Sequence, residues 1–183
     1  MSSLVSAPAD IPVLETPRLT MRGHRGSDFE SVADMWGDLE VARHISGKPS
    51  TREESWARLL RYGGLWKFLG YGYWVVEEKA TGAFIGEVGF ANFKRETEPP
   101  LGDYQEAGWV LSPKAHGKGY ATEAVKAALA WADSSLKTPT VCIVAPENPA
   151  SIRIAEKCGF REVARGTYKT WPTLFYRREV GAR

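Results

Sequence analysis

No stretch of this chain approaches the roughly 20 consecutive apolar residues that cross a bilayer, so no membrane-spanning helix is expected. The opening residues Met1–Asp10 have neither a basic start nor an apolar stretch, so no secretory leader is expected and the cytoplasm is. Cysteine is scarce: Cys142 and Cys158 lie in apolar surroundings without zinc-site spacing and read as two buried, reduced thiols. His24, His44 and His116 stand far apart in sequence, and no metal is expected. The net charge is only +2 and the basic residues are scattered, which argues against a nucleic-acid partner. Repeats, low-complexity tracts and linkers are lacking too. The 183 residues therefore read as one domain over 13–183 behind a flexible 1–12 terminus. A chain of that size buries roughly two-thirds of its unfolded surface. Its 43% hydrophobic and 25% charged residues are ordinary for a soluble globular protein.

What is present is concentrated in Glu106–Glu123, EAGWVLSPKAHGKGYATE, which reads as strand, anion-binding turn and helix start. Gly117 and Gly119 can take backbone angles closed to other residues and let main-chain N–H groups approach a ligand. The following helix, from about Tyr120, offers unpaired donors and the positive end of its dipole, a combination suited to a pyrophosphate. Lys114 and Lys118 add positive charge. Two nucleotide signatures fail here: Lys118 precedes Gly119 rather than the Ser or Thr of a P-loop. Thr122 stands where a dinucleotide fingerprint has its third glycine.

Along the rest of the chain, Val13–Arg22 ends in the alternation of a half-buried strand. Ser27 and Glu30 predict a capping box for a helix to about Trp36, and Val41 and Ile45 mark a short segment after it. Thr51 and Glu54 predict a second box, opening a helix to about Phe68 with Trp56, Leu59, Leu60 and Gly63 on its apolar side. GYWVVEEK and AFIGEVGFANF, joined at Ala80–Gly82, predict a hairpin. Lys94–Asp103 reads as a polar loop whose Pro99-Pro100 forbids regular structure. A central strand Glu106–Leu111 and a helix Gly117–Ser134 come next. Thr140–Ala145 is a further strand. Asn148 as N-cap and Pro149 at the first turn open a helix that stops at Gly159. Two strands, Phe160–Tyr168 and Thr173–Val180, close the chain as an antiparallel pair. The fold class is α/β: a mixed, mostly antiparallel sheet of about seven strands with helices on both faces.

GWVLSPKAHGKGYATEA, followed some 30 residues later by NPASIRIAEKCGF, resembles the two cofactor motifs of the GNAT superfamily of acyl-CoA-dependent N-acyltransferases. LETPRLTMR and IGEVGF further resemble its ribosomal-protein-alanine acetyltransferase branch, and the similarity covers about Leu14–Val180. The resemblance implies that the main-chain amides of His116, Gly117, Lys118, Gly119, Tyr120 and Ala121, with Thr122 continuing the turn, hold the pyrophosphate of acetyl-CoA. His116 departs from the Gln or Arg usual at its position. It also implies that Trp109, Val110 and Leu111 pair with the pantetheine arm, that an N–H near Val110 polarises the thioester carbonyl, and that Asn148 and Ser151 face the arm. The same residues would equally serve as buried strand and helix cap.

The implied chemistry moves an acetyl group directly from the thioester to a primary amine, which needs a base because a protonated amine has no lone pair. Glu106 at the head of the central strand is the first candidate and Glu87 in IGEVGF the second. The tyrosine that many of these enzymes use to protonate the leaving thiolate is replaced by Ala155. That keeps a non-catalytic acyl-CoA-binding module as the alternative, with a nucleotide-binding protein as a third reading. Glu96, Glu98 and Asp103 could attract a cationic amine, and Trp36, Trp56 and Trp66 could wall its pocket. Apart from acetyl-CoA and that amine acceptor, a homodimer is compatible with the branch, though no stretch marks its surface.

Overall fold

The computed structural model describes residues 10–182. Among these residues nine strands form one sheet: β1 (Leu14–Glu15), β2 (Leu19–Arg22), β3 (Tyr73–Glu78), β4 (Phe84–Ala91), β5 (Thr97–Glu98), β6 (Gln105–Leu111), β7 (Thr140–Val144), β8 (Arg161–Tyr168) and β9 (Trp171–Arg178). The helices are α1 (Phe29–Trp36), α2 (Leu39–Ala42), α3 (Arg52–Leu69), α4 (Tyr120–Ser135) and α5 (Pro149–Lys157). The spatial order is β1-β2-β3-β4-β6-β7-β9-β8-β5, antiparallel throughout except for the β6–β7 pair. The expected class holds, with nine strands rather than about seven. The two extra strands, β1 and β5, are two residues long and exist only because a neighbouring strand supplies partners.

Strand alternation sorts the sheet's side chains onto two faces. Leu19, Met21, Trp74, Val76, Val88, Phe90, Ala107 and Leu111 meet the small-residue side of α4, where Ala124, Ala128 and Ala132 allow close approach. The opposite face of β4 and β6 meets α1 and α3 through Val32, Met35, Trp36, Leu59 and Tyr62. Glu87 and Glu106 both lie on this second face, since Glu87 pairs with Val110 and Glu106 stands four residues before Val110 on β6.

Several local expectations shift. The Ser27–Glu30 box does not form. The chain instead makes a 3-10 turn, Gly26–Asp28, in which Asp28 Oδ2 accepts from the Arg25 N–H at 2.6 Å. Asp28 is held there by Arg22, whose guanidinium donates to both its oxygens at 2.8 and 2.9 Å and to Glu77 as well. Burial works against ionisation, but the Arg22 guanidinium keeps the Asp28 carboxyl below its ordinary value. The Thr51–Glu54 box forms as expected, with Glu54 N–H donating to Thr51 Oγ1 at 3.1 Å and Thr51 N–H to Glu54 Oε2 at 2.8 Å. The buried side of α3, however, is Ser55, Leu59, Tyr62, Leu65 and Trp66, leaving Trp56 and Leu60 exposed. Tyr62 and Trp66, which anchor on β3, set that rotation. Part of the expected polar loop is β5, and the prolines begin only after its last residue. Of the expected flexible terminus, residues 1–9 lie outside the described residues. Ile11 packs on the core, and Pro12 accepts a hydrogen bond from Trp74 Nε1 at 2.7 Å, so the docked chain begins before Val13.

Candidate active site

β6 is paired with β4 from Ala91↔Glu106 to Gly86↔Leu111, all but its first residue. It is paired with β7 only at Gln105↔Thr140 and Glu106↔Val141. Beyond Glu106 the two parallel strands separate, leaving one edge of residues 107–111 without a strand partner. The register identifies which groups are left. Ser112 N–H donates to Ile85 O at 2.9 Å, so the bonded pairs fall at Ile85/Ser112, Glu87/Val110 and Gly89/Gly108. The amides of Gly108 and Val110 therefore face β4, while those of Trp109 and Leu111 face the gap. Near Val110 the amides facing the gap are those of its two neighbours, because alternation turns Val110's own N–H to its paired strand.

The glycine turn closes the open end of this gap. After a 3-10 turn at Pro113–Ala115, His116–Gly119 lead into the 16-residue helix α4. Gly117 and Gly119 have φ of +75° and +78°, left-handed values that favour glycine. A Cβ at Gly117 would meet nothing within 4 Å, so the space beside the turn is open. Lys114, His116, Gly117, Lys118 and Gly119 are exposed, whereas Tyr120 is buried. The turn is braced from behind: Arg18 Nη1 donates to Lys118 O at 2.9 Å, and Glu123, bound by Arg18 and Thr16, ties α4 to the β1–β2 connection. Tyr120 Oη also donates to Glu78. His116 Nε2 lies 3.0 Å from Leu111 O and links the turn to the end of β6. The cradle's shape, charge and open side suit a bound pyrophosphate.

Across the gap, Asn148 caps α5 by accepting from Ser151 N–H at 3.1 Å, and Ser151 Oγ accepts from Trp109 Nε1 at 3.3 Å. Trp109 thus bridges β6 and α5 beyond the last residue pair of β6 and β7. Ala155 is fully buried and its carbonyl accepts from Phe160 N–H at 3.1 Å. No hydroxyl replaces the missing tyrosine at that position. Among the described residues no three His, Cys, Asp or Glu side chains are grouped to hold a metal. Cys142 and Cys158 are buried, and burial raises both thiols, Cys158 to about 11.

The two candidate carboxylates differ sharply in environment. Glu87 is fully buried: Oε1 lies 2.7 Å from His24 Nε2, and Oε2 accepts from Trp36 Nε1 at 2.8 Å. Glu106 accepts from Arg95 Nε through Oε2 at 2.7 Å and borders a cleft of about 210 Å³ with Arg95, Phe93 and Tyr104. Burial works against the Arg95 charge, but its bond to Glu106 raises the guanidinium further above its ordinary value. Between the two carboxylates, Tyr73 lays its hydroxyl over Gly108 and stacks on Tyr62 with ring centroids 4.3 Å apart. Burial, then the charge of Glu106, raises the Tyr73 hydroxyl well above its usual range. Of the three tryptophans considered for the acceptor pocket, Trp36 lies at this face. Trp56 is exposed against Phe29, and Trp66 packs with Trp74 and Trp131. Asp103 is taken up by Lys94 at 2.9 Å, and Glu96 and Glu98 are exposed.

Gly108 is where side-chain size should show most directly. A Cβ there would lie 1.9 Å from Tyr73 Oη and 3.0 Å from Cζ. Gly108→Ala is expected to destabilise the protein by about 1–3 kcal/mol through overpacking. Adding Tyr73→Phe to that variant should recover part of the loss, as read by denaturant midpoints.

His24, Tyr73 and Arg95 carry no motif, and only the fold brings them here. Arg95 is eleven residues from Glu106 and His24 sixty-three from Glu87. The glycine turn, by contrast, is contiguous and was visible from its spacing.

Comparison with known proteins agrees with this geometry. The acetyltransferase (GNAT) domain family matches residues 18–161. The uncharacterized protein YkkB of Bacillus subtilis is 29% identical over 174 residues, covering 91% of this chain and 95% of its own. A crystal structure of an acetyltransferase from Agrobacterium tumefaciens superposes with a TM-score of 0.81 at 29% identity, covering 93% of this chain and 95% of that one. Spermidine N-acetyltransferase from Vibrio cholerae, solved with CoA and spermine, shares the fold at 18% identity and a TM-score of 0.71, covering 91% and 98%. With its opened sheet and glycine turn, this chain belongs to the GNAT acetyltransferase domain family and is an acyltransferase.

Proposed function

We propose that the protein is an acetyl-CoA-dependent N-acetyltransferase that acetylates a primary amine. The observation that carries this is the parting of β6 from β7 after Glu106, with a glycine turn and the N-terminus of α4 at the open end. That a protein of the same fold was solved with CoA supports the choice of acyl carrier.

In this reading the amides of His116–Ala121, continued by Thr122, bind pyrophosphate, and Lys118 adds its charge. The exposed edge of Trp109–Leu111 accepts an extended arm in place of the missing strand, with Asn148 and Ser151 on the far wall. Acetyl-CoA supplies the activated acyl group. The Trp109 and Leu111 N–H groups are the donors available to a carbonyl in the gap, and one such donor can be worth about 3–4 kcal/mol. Glu106 is the base. Among the described residues its Oε1 has no hydrogen-bond partner, while both oxygens of Glu87 are engaged. Arg95 holds Glu106 in place, and Glu87 fixes Trp36 and His24 beneath the acceptor's path. No side chain of this site is assigned to protonate the leaving thiolate, a role that water can fill.

A thermal-shift titration with acetyl-CoA, CoA, NAD and ATP tests the cradle. At 100 times its dissociation constant a ligand stabilises the fold by about 2.7 kcal/mol. Stabilisation by the two CoA ligands alone is the expected result. Stabilisation by NAD or ATP without CoA would overturn the proposal. CoA binding without thiol release for any amine would favour the non-catalytic module.

A further inference from the structure

Three inward arginines each meet a carboxylate: Arg22 with Asp28, Arg95 with Glu106, and Arg178 with Asp133 at 2.8 Å. Arg58 on α3 differs. It is half-buried, its guanidinium stands 3.6 Å above the Trp36 ring, and Nη1 donates to Ser50 Oγ at 3.2 Å. No carboxylate of the described residues comes within 4.0 Å of it. Burial lowers the guanidinium from its ordinary value, opposed by the more distant charges of Glu87 and Glu54. A partly desolvated guanidinium without a contacting carboxylate is costly, and an arriving anion would offset that cost.

Its surroundings point the same way. Arg58 lines a cleft of about 440 Å³ with Lys48, Arg61, Ser46, Ser50 and Glu54. Neither Lys48 nor Arg61 has a carboxylate partner among the described residues. The one acidic member, Glu54, caps the helix through the Thr51 N–H and also feels the charges of Lys48 and Arg58, which leaves three cations facing one carboxylate in the cleft. The cleft shares no lining residue with the Glu106 cleft, and it is linked to the reaction face through two buried side chains. Trp36, under Arg58, donates to Glu87, and Glu87 is the register partner of Val110 at the gap.

We propose that this cleft selects acceptors in which the primary amine carries a carboxylate, and that Arg58 is the residue that binds it. This inference rests on the acetyltransferase reading above and narrows it to one substrate class, opposite in charge to the spermine bound by the Vibrio cholerae protein of similar fold. Free amino acids and peptides with an acidic residue beside the terminal amine present the same chemistry.

The test uses the whole protein with acetyl-CoA and reads thiol release. Amines come in matched pairs: glutamate, aspartate and glycine against their amides, and dipeptides with Glu or Gln second, with spermidine as the cationic control. The carboxylate member of at least one pair should show kcat/KM about tenfold or more above its amide, the size of one charge-assisted hydrogen bond. The free acids and the dipeptides separate a small-molecule acceptor from a peptide terminus. Arg58→Gln should erase the preference mainly through KM, and Arg58→Lys should retain part of it. Thermal shifts with the N-acetylated products should show the same acid-over-amide order, lost in Arg58→Gln, so the cleft is read even where turnover is slow. Equal rates within every pair, a preference for spermidine, or a preference unchanged in Arg58→Gln would each overturn the proposal. So would an absence of turnover and product binding with both members of all pairs. In any of those cases stabilisation by CoA would leave the acetyltransferase reading standing, whereas loss of CoA binding would remove both.

Discussion

Glu106→Gln should lower kcat/KM for amine acetylation by about 10²–10⁴ at neutral pH while leaving the thermal shift with CoA intact. The expected loss is about 3–5 kcal/mol of barrier. Glutamine keeps the side chain's shape, and its carbonyl can still accept from Arg95 Nε, which now approaches Glu106 at 2.7 Å. What disappears is the basic oxygen facing the cleft. The amine arrives protonated, with an ordinary value near 8 for an α-amino group and above 10 for a lysine. The base therefore matters most where the free amine is scarce. Raising the pH should restore part of the Glu106→Gln rate by supplying unprotonated acceptor. Full activity of Glu106→Gln at every pH would sink the assignment. The Glu87→Gln variant behaves differently: its amide nitrogen cannot accept from either Trp36 or His24, so it should lose stability as well as rate.

Trp74→Ala should be the most damaging single truncation of the core, costing about 3–5 kcal/mol. Trp74, the second residue of β3, is fully buried. Its ring meets Trp66, Trp131 and Phe90 edge-on at centroid distances of 4.8, 5.2 and 6.3 Å. Its Nε1 holds Pro12 O, so the substitution also releases the first docked segment of the chain. A domain of this size has roughly 5–15 kcal/mol of stability, and the thermal midpoint should fall by about 10 °C. A fall of under about 2 °C would show that the aromatic cluster repacks around the cavity.

The sequence made the strands and helices legible wherever their patterns were long. β3, β4, β6, α4 and α5 fall within a few residues of their expected bounds. The glycine turn announced itself because all its parts are adjacent in the chain. What stayed hidden depends on partners far away in sequence. β1 and β5 have too few residues to show a period, and each exists through a neighbouring strand. The Ser27–Glu30 pair has the right spacing for a cap, but Arg22 claims Asp28 and sets a tighter turn first. On α3 the aromatic Tyr62 and Trp66 outweigh Trp56 and Leu60 in deciding which side faces the sheet. At the site, Glu87 and Glu106 could be named from their strands. Their environments, one sealed by His24 and Trp36 and the other held by Arg95, could not.

β5 has a mechanical consequence. The sheet amounts to two plates, β1-β2-β3-β4-β6 and β7-β9-β8, fastened along their common seam by only two residue pairs. Left there, the wedge-shaped opening would be a tear that could run the length of the seam. The segment between β4 and β6 belongs to the first plate, yet it reaches to the outermost edge of the second and pairs Thr97 and Glu98 with β8. Arg95, just before it, grips Glu106 at the seam and lies against the Tyr168 ring on the far plate. The excursion works as a strap over the crack: local opening that begins at the gap must pull β5 from β8 before the plates can part. It also covers the last two residues on the outer edge of β8, Thr167 and Tyr168, which would otherwise offer unpaired backbone to another chain.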